Sequence, residues 1–212
     1  MGCPLMPHAS LLMPDIRLHI GSGPHHLDGW TNVDSQPYPG VDRVVDVARE
    51  FPFEDLSFVF AEHFIEHLAY SDALKLLRNC RRALRDDGVL RLSTPNLDWV
   101  WASHYRRILS DDEQIMGCFA LNRAFRAWGH QFLYNFGTLA ATLGDAGFGN
   151  VIRCEYGQSA HPELRGLEAH ERNPDFDGLS HILIVEASER GGEPPANLEV
   201  PRSVYLRDVD VK

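Results

Sequence analysis

Residues 18–34, Leu-His-Ile-Gly-Ser-Gly-Pro-His-His-Leu-Asp-Gly-Trp-Thr-Asn-Val-Asp, decide how this chain folds. Ile16, Leu18 and Ile20 alternate with polar residues, the period of a strand with a buried face. The strand runs into Gly21 and Gly23, which lack the Cβ that would keep backbone away from a ligand, and a second short strand ends on Asp34. A carboxylate at a strand tip can accept from both hydroxyls of a ribose, so the layout is that of a nucleotide site.

Two departures separate it from the dinucleotide-binding pattern. His26 stands where G-x-G-x-x-G has its third glycine, and ten residues lie between Gly23 and Asp34, whereas the pattern places the acid about 20 residues on. With Pro24 after Gly23 and little room for a first helix, the turn suits a nucleoside without phosphates better than a pyrophosphate.

Working outward, the next hundred residues continue the same design. Residues 41–45 read as a third strand closing on Asp46, residues 57–61 as a fourth closing on Glu62 and His63, and residues 89–93 as a fifth closing on Thr94, Pro95 and Asn96. Parallel α/β sheets bind ligands beyond the carboxyl ends of their strands, so Gly21, Asp34, Asp46, Glu62 and Thr94 are expected in one crevice.

With these motifs in order, the chain resembles the class I S-adenosylmethionine-dependent methyltransferases, closest to a small bacterial branch. The likeness rests on Leu18 to Gly23, Gly29 to Asp34, the Glu-His-x-x-Glu-His-Leu of residues 62–68 and the Arg-x-Leu-x-x-x-Gly-Val-Leu of residues 82–90. It covers roughly residues 15–187. It implies an α/β fold with a doubly wound, mostly parallel seven-stranded sheet, Rossmann-like, and S-adenosylmethionine as cofactor. By position, Gly21, Ser22 and Gly23 would face the methionine part, Asp34 would take the ribose, and Asp46 and Val47 would border the adenine. Glu62 and His63 would lie near the sulfonium.

The chain has 212 residues, 44% of them hydrophobic, enough for one sizeable core. No apolar run approaches a bilayer-spanning length. Residues 1–14, broken by Pro4, Pro7 and Pro14, read as a loose arm and a poor secretory signal; residues 15–190 read as one domain and residues 191–212 as a linker-like extension or an arm that docks on a neighbour. Four dispersed cysteines, Cys3, Cys80, Cys118 and Cys154, suit reduced thiols in the cytoplasm, and no metal is expected. Acids outnumber bases 30 to 20, for a net charge of −10, which disfavours nucleic acid as partner. Lys75, Arg78, Arg81, Arg82 and Arg85 read as the solvated face of a helix over 71–84, with Ser71 as its N-cap and Gly88 as its left-handed stop. Oligomeric state is left open, a homodimer among the options.

Residues 98–130 interrupt the alternation with one or two helices and read as an insertion covering the crevice after strand five, its aromatic residues Trp99, Trp101 and Tyr105, with Trp128 and Tyr134, forming the acceptor walls. A helix over 135–147, a sixth strand over 151–156 and an antiparallel last strand over 181–187 at or near the sheet edge complete the expectation.

Methyl transfer to oxygen or nitrogen requires alignment and a group to take a proton, for which histidine has a suitable pKa. His63, at the tip of strand four, is the first candidate; His130, in the segment joining the insertion to the next helix, is the second. His67 reads as structural, and His25 and His26 as shaping the glycine loop. The acceptor expected is a small molecule or a sugar hydroxyl. Two rivals stand beside this: a cofactor-binding partner subunit without catalysis, and a zinc protease, because His63-Phe64-Ile65-Glu66-His67 matches H-x-x-E-H. Against the second, the motif emerges directly from an apolar strand.

Overall fold

A computed structural model describes residues 15–106, 110–170, 172–192 and 194–207; the arm expected over 1–14, Ile108 and residues 208–212 lie outside these. The sheet contains β1 (Arg17–Ile20), β2 (Thr31–Asp34), β3 (Arg43–Val44), β4 (Leu56–Glu62), β5 (Leu84–Pro95), β6 (Phe148–Cys154) and β7 (Ile182–Arg190) in the order β3-β2-β1-β4-β5-β7-β6. The first five strands pair in parallel, and β7 runs antiparallel between β5 and β6, one place in from the edge. The order reverses between β1 and β4, and their carboxyl ends open the crevice that the glycine turn borders.

Strand alternation sorts the two faces. Leu18, Ile20, Val59, Ala61, Leu90 and Leu92 enter the main core with α1 (Tyr70–Ala83) and a later helix, residues 136–145. Ala73, Leu74, Leu77 and Cys80 recur at helical spacing on the buried side of α1. Ser71 is not its cap: Ala69 occupies that position without a side-chain bond. Nor does Gly88 stop the helix, because β5 begins directly at Leu84. Gly88 lies within that strand, where a Cβ would sit 2.9 Å from Leu84 Cδ2 and 3.0 Å from the Leu56 carbonyl oxygen, so close packing excludes a side chain there. Arg81 also departs from the solvated face. It is buried, and its Nη2 donates to the carbonyls of Leu84 and Arg85 at 3.3 and 2.8 Å, satisfying groups just past the helix end.

The opposite face is closed by loops. Trp30, Phe58, Phe60, Val89 and Leu164 form a second cluster there, with Leu27 and Leu167 against it. Asn32, with no exposed surface, organises the first of these loops: its Oδ1 accepts from Leu27 N at 2.9 Å and its Nδ2 donates to the Leu27 and Trp30 carbonyls at 3.1 Å. The doubly wound strand order is thus kept while residues 21–30 and 35–42 cross without a helix. Arg91 anchors the second loop. Fully buried on β5, it donates from Nε to Glu168 Oε1 and from Nη1 to Glu186 Oε1, each at 2.6 Å, and from Nη1 to the Gln158 carbonyl at 3.0 Å. Burial opposes its charge, but the two carboxylates outweigh it and hold the guanidinium pKa above its ordinary value.

After β5 come α2 (Leu97–Trp101), which runs on into a π-helical turn, and α3 (Asp111–Arg126), capped by Ser110, whose hydroxyl accepts from Glu113 N. Of the apolar residues in this stretch, Trp101, Tyr105, Ile115, Phe119 and Phe125 are exposed. The next helix, α4 (Phe136–Asp145), starts as expected at Asn135, which accepts from Thr138 N at 2.9 Å. The C-terminal segment is not a linker over its described part. It ends in α5 (Glu199–Tyr205), with Leu198 and Leu206 packed on the main core and Arg202 Nη1 bonded to Asp145 at 3.2 Å.

Candidate active site

The glycine turn is built as the sequence reading requires. Gly21 and Gly23 have φ of +65° and +50°, a left-handed region that side chains avoid, and a Cβ on Gly21 would collide with the Phe64 ring. Around Gly23 no atom lies within 4 Å of where a Cβ would stand, which leaves room beside the turn. Ser22 is buried and its N–H donates to Val33 O at 3.0 Å, tying the turn to β2. Asp34 closes it: Oδ2 accepts from Gly23 N and Oδ1 from Gln36 N, both at 2.9 Å. These bonds fix the carboxylate while each oxygen keeps a lone pair for a further donor.

Other expected positions divide. Asp46 is exposed, with Oδ1 accepting from Ala48 N at 3.2 Å, while Val47 is packed into the main core. Glu62 does not face a ligand with a free carboxylate. Its oxygens accept from Ala169 N at 3.0 Å and His170 N at 3.2 Å, so it anchors the loop that covers the second face.

Beyond β4 and β5 lies a cavity of about 900 Å³ lined by both candidate bases, His63 and His130, and by His67, His104, His170 and His181. His63 has φ +46°, and its ring stacks on His170 at 4.2 Å. Its Nδ1 is 3.1 Å from Glu66 Oε1 without hydrogen-bond alignment, and its Nε2 is buried without a partner. Glu66 has no exposed surface and accepts from Thr94 Oγ1 at 3.0 Å. Backbone joins the two halves of the site: Gln131 N and Phe132 N donate to Glu66 O at 2.7 and 3.2 Å, bringing His130 to within 5.1 Å of His67 between ring centres. His67 is therefore a cavity residue and not packing beneath the turn. Trp128, at φ +57°, and Gly129, at +82°, turn the chain sharply just before His130. Such left-handed non-glycine residues cluster at functional sites.

Of the expected aromatic walls, Trp99 and Trp128 line the cavity. Trp101 and Tyr105 stack on each other outside it at 4.6 Å, and Tyr134 is fully buried, which raises its hydroxyl pKa well above the ordinary value. Burial lowers the pKa of His181, helped by His63 and His104, and lowers that of His104, helped by Arg123. Sequence reasoning missed Glu66 as a site residue, together with His104, His170 and His181. The H-x-x-E-H spacing was a signal for the first, but Glu66 and His67 sit on a 3₁₀ turn over Ile65–His67 while His63 precedes it, so the two histidines do not share an α-helix.

Comparison with known proteins bears on the fold. Residues 28–92 match a family model described as a methyltransferase domain. The chain has the class I S-adenosylmethionine-dependent methyltransferase fold. Among solved structures similar to it are the S-adenosylmethionine-dependent methyltransferase SibL (TM-score 0.50, 14% identity, 83% of this chain and 50% of that one) and a DhpI–SAH complex (TM-score 0.50, 14% identity, 84% and 77%). A third is a protein of Bordetella parapertussis described as exported (TM-score 0.53, 11% identity, 84% and 63%). The chain thus spans half the length of SibL and 63% of the Bordetella protein. No curated protein matches it in sequence.

Proposed function

We propose that this methyltransferase-fold chain moves a methyl group from S-adenosylmethionine to an oxygen or nitrogen of a small molecule or sugar held in the histidine-lined cavity. The observation that carries the reading is the contact between two neighbouring strand tips. Phe64, two residues past the end of β4 and next to His63, packs against Gly21 just past the end of β1, so a nucleoside cradled by the glycine turn borders the cavity. The residues fit the cofactor: the left-handed Gly23 leaves open space beside the turn, and a fixed, half-buried Asp34 presents lone pairs suited to a ribose diol.

When bound, the cofactor supplies a methyl group already activated on a sulfonium. The chain's part is positioning and proton handling. His63, with its unpartnered Nε2, is placed to accept the acceptor's proton there, and buried Glu66 beside Nδ1 stabilises the imidazolium that results. His130, which lines the same cavity, is the second candidate base. Trp99, held by a bond from its Nε1 to the Pro174 carbonyl at 3.1 Å, helps exclude water from the acceptor. We place the reaction in the cytoplasm, a reading supported by the free thiols of Cys80, Cys118 and Cys154. Among the described residues no helix is long and apolar enough to cross a membrane.

Calorimetric titration of S-adenosylmethionine and S-adenosylhomocysteine tests the reading. Both are expected to bind, and Asp34→Ala to weaken binding by about 10- to 100-fold while the fold stays intact, as expected for lost hydrogen bonds to a charged group. Absence of binding to folded protein overturns the proposal. Binding without release of S-adenosylhomocysteine over a broad panel of hydroxyl and amine acceptors points instead to a non-catalytic subunit.

A further inference from the structure

We infer that Glu66, His67 and His130 form a site for one divalent transition-metal ion of the zinc type, open on its fourth side to the histidine-lined cavity. Their donor atoms all lie within 4.8 Å of one another. Ligand atoms on a tetrahedral zinc with bonds of ~2.0–2.1 Å stand roughly 3.4 Å apart, so closing the site asks for side-chain shifts of about an ångström.

Independent features point to a cation there. Glu66 is wholly buried and its Oε1, 3.1 Å from His63 Nδ1 but not aligned for a hydrogen bond, accepts none, a costly state for a carboxylate unless a positive charge compensates it. Its other oxygen is held by the Thr94 hydroxyl, which aims the group. His130 Nδ1 lies 2.7 Å from the Ala124 carbonyl; since a carbonyl only accepts, Nδ1 carries the proton and the Nε2 lone pair is left free. A ligand histidine whose second nitrogen is bonded to backbone is the usual outer-shell device of metal sites. The donation of Gln131 N and Phe132 N to Glu66 O holds the loop bearing His130 against the turn bearing Glu66 and His67.

Two imidazoles and a carboxylate favour zinc, cobalt, iron or nickel over magnesium or calcium. Three protein ligands leave one position for water or a substrate oxygen. The site differs from the H-x-x-E-H expectation, for His63 is not among its ligands and His130, 63 residues beyond His67, supplies the second imidazole. It also reverses the expectation that no metal is needed. Its use in methyl transfer, as a Lewis acid that binds and acidifies an acceptor hydroxyl, rests on the function proposed above; metal binding itself does not.

The test titrates chelator-stripped, tag-free full chain with Co²⁺, read by visible absorption, and displaces it with Zn²⁺. One Co²⁺ per chain with a tetrahedral spectrum is expected, weakened more than about tenfold by His67→Ala, His130→Ala or Glu66→Gln. His104→Ala and His181→Ala, which change cavity histidines outside the cluster, are expected to bind Co²⁺ unchanged. Circular dichroism and S-adenosylmethionine titration of each variant report whether it is folded. The inference is overturned if no stoichiometric binding occurs, or if binding survives in folded His67→Ala and His130→Ala. Intact S-adenosylmethionine binding without metal binding sinks this inference alone, whereas metal binding without S-adenosylmethionine binding sinks the methyltransferase reading and leaves the metal site.

Discussion

At the scale of single residues, the sheet brings opposite environments to histidines that look alike in the sequence. His19, between Leu18 and Ile20, points to the second face, where its Nδ1 lies 3.0 Å from Asn32 Oδ1 and its ring stacks on Phe60. Burial, which outweighs the bond to Asn32, lowers its pKa below the ordinary 6.5. The unfolded chain therefore takes up this proton at a higher pH than the folded one does. Stability is complete above about pH 6.5 and is lost as the pH falls through that value toward the folded pKa. Denaturant unfolding between pH 7.5 and 5 is expected to show this decline, and His19→Gln to flatten it; an equal slope in the variant would assign the decline to His104 and His181, whose pKa values are also lowered. The glycine turn and Asp34 stood out because their signal is local: glycine at a strand tip, then a carboxylate on the next strand. The anchoring role of Glu62 was not legible because its partners, Ala169 and His170, lie more than a hundred residues away and leave no trace in the neighbouring sequence.

At the scale of elements, strands were easier to find than the coverings laid over them. Apolar alternation marked β1, because that period acts over a few residues. The second face was hidden for the opposite reason. It is covered by irregular backbone held through Arg91, whose contacts to Glu168 and Glu186 span 77 and 95 residues. Replacing Arg91 with Met strands two buried carboxylates and is expected to cost about 3–5 kcal/mol in urea unfolding, the range for breaking a buried ion pair from one side. Adding Glu168→Gln and Glu186→Gln to that variant is expected to restore part of the loss, since neutral amides need no counter-charge. A cost below about 1 kcal/mol for Arg91→Met would mean that apolar contacts of Leu164 and Leu167 hold the loop without the network.

At the scale of the whole molecule, the chain closes its main core with residues that a composition-based reading assigns to a tail. Prolines at 194, 195 and 201 and the lack of a long apolar period suggest a linker, yet Leu198 and Leu206 reach the core. Arg202 lies over the Tyr70 ring at 5.6 Å, between α1 and Asp145 at the end of α4. A short helix of this kind has little stability of its own and forms because docking buries its apolar side. Deleting residues 194–212 removes two partly buried leucines and a half-buried ion pair, together about 2–3 kcal/mol by apolar burial. In a domain of this size that corresponds to a fall of roughly 5–10 °C in melting temperature. The same truncated chain is expected to bind S-adenosylmethionine with unchanged affinity, because α5 packs on α1 and α4 while the glycine turn and Asp34 sit at the ends of β1 and β2. An unshifted melting temperature would show that the helix adds nothing to the core, and lost cofactor binding would show that the strand tips depend on it.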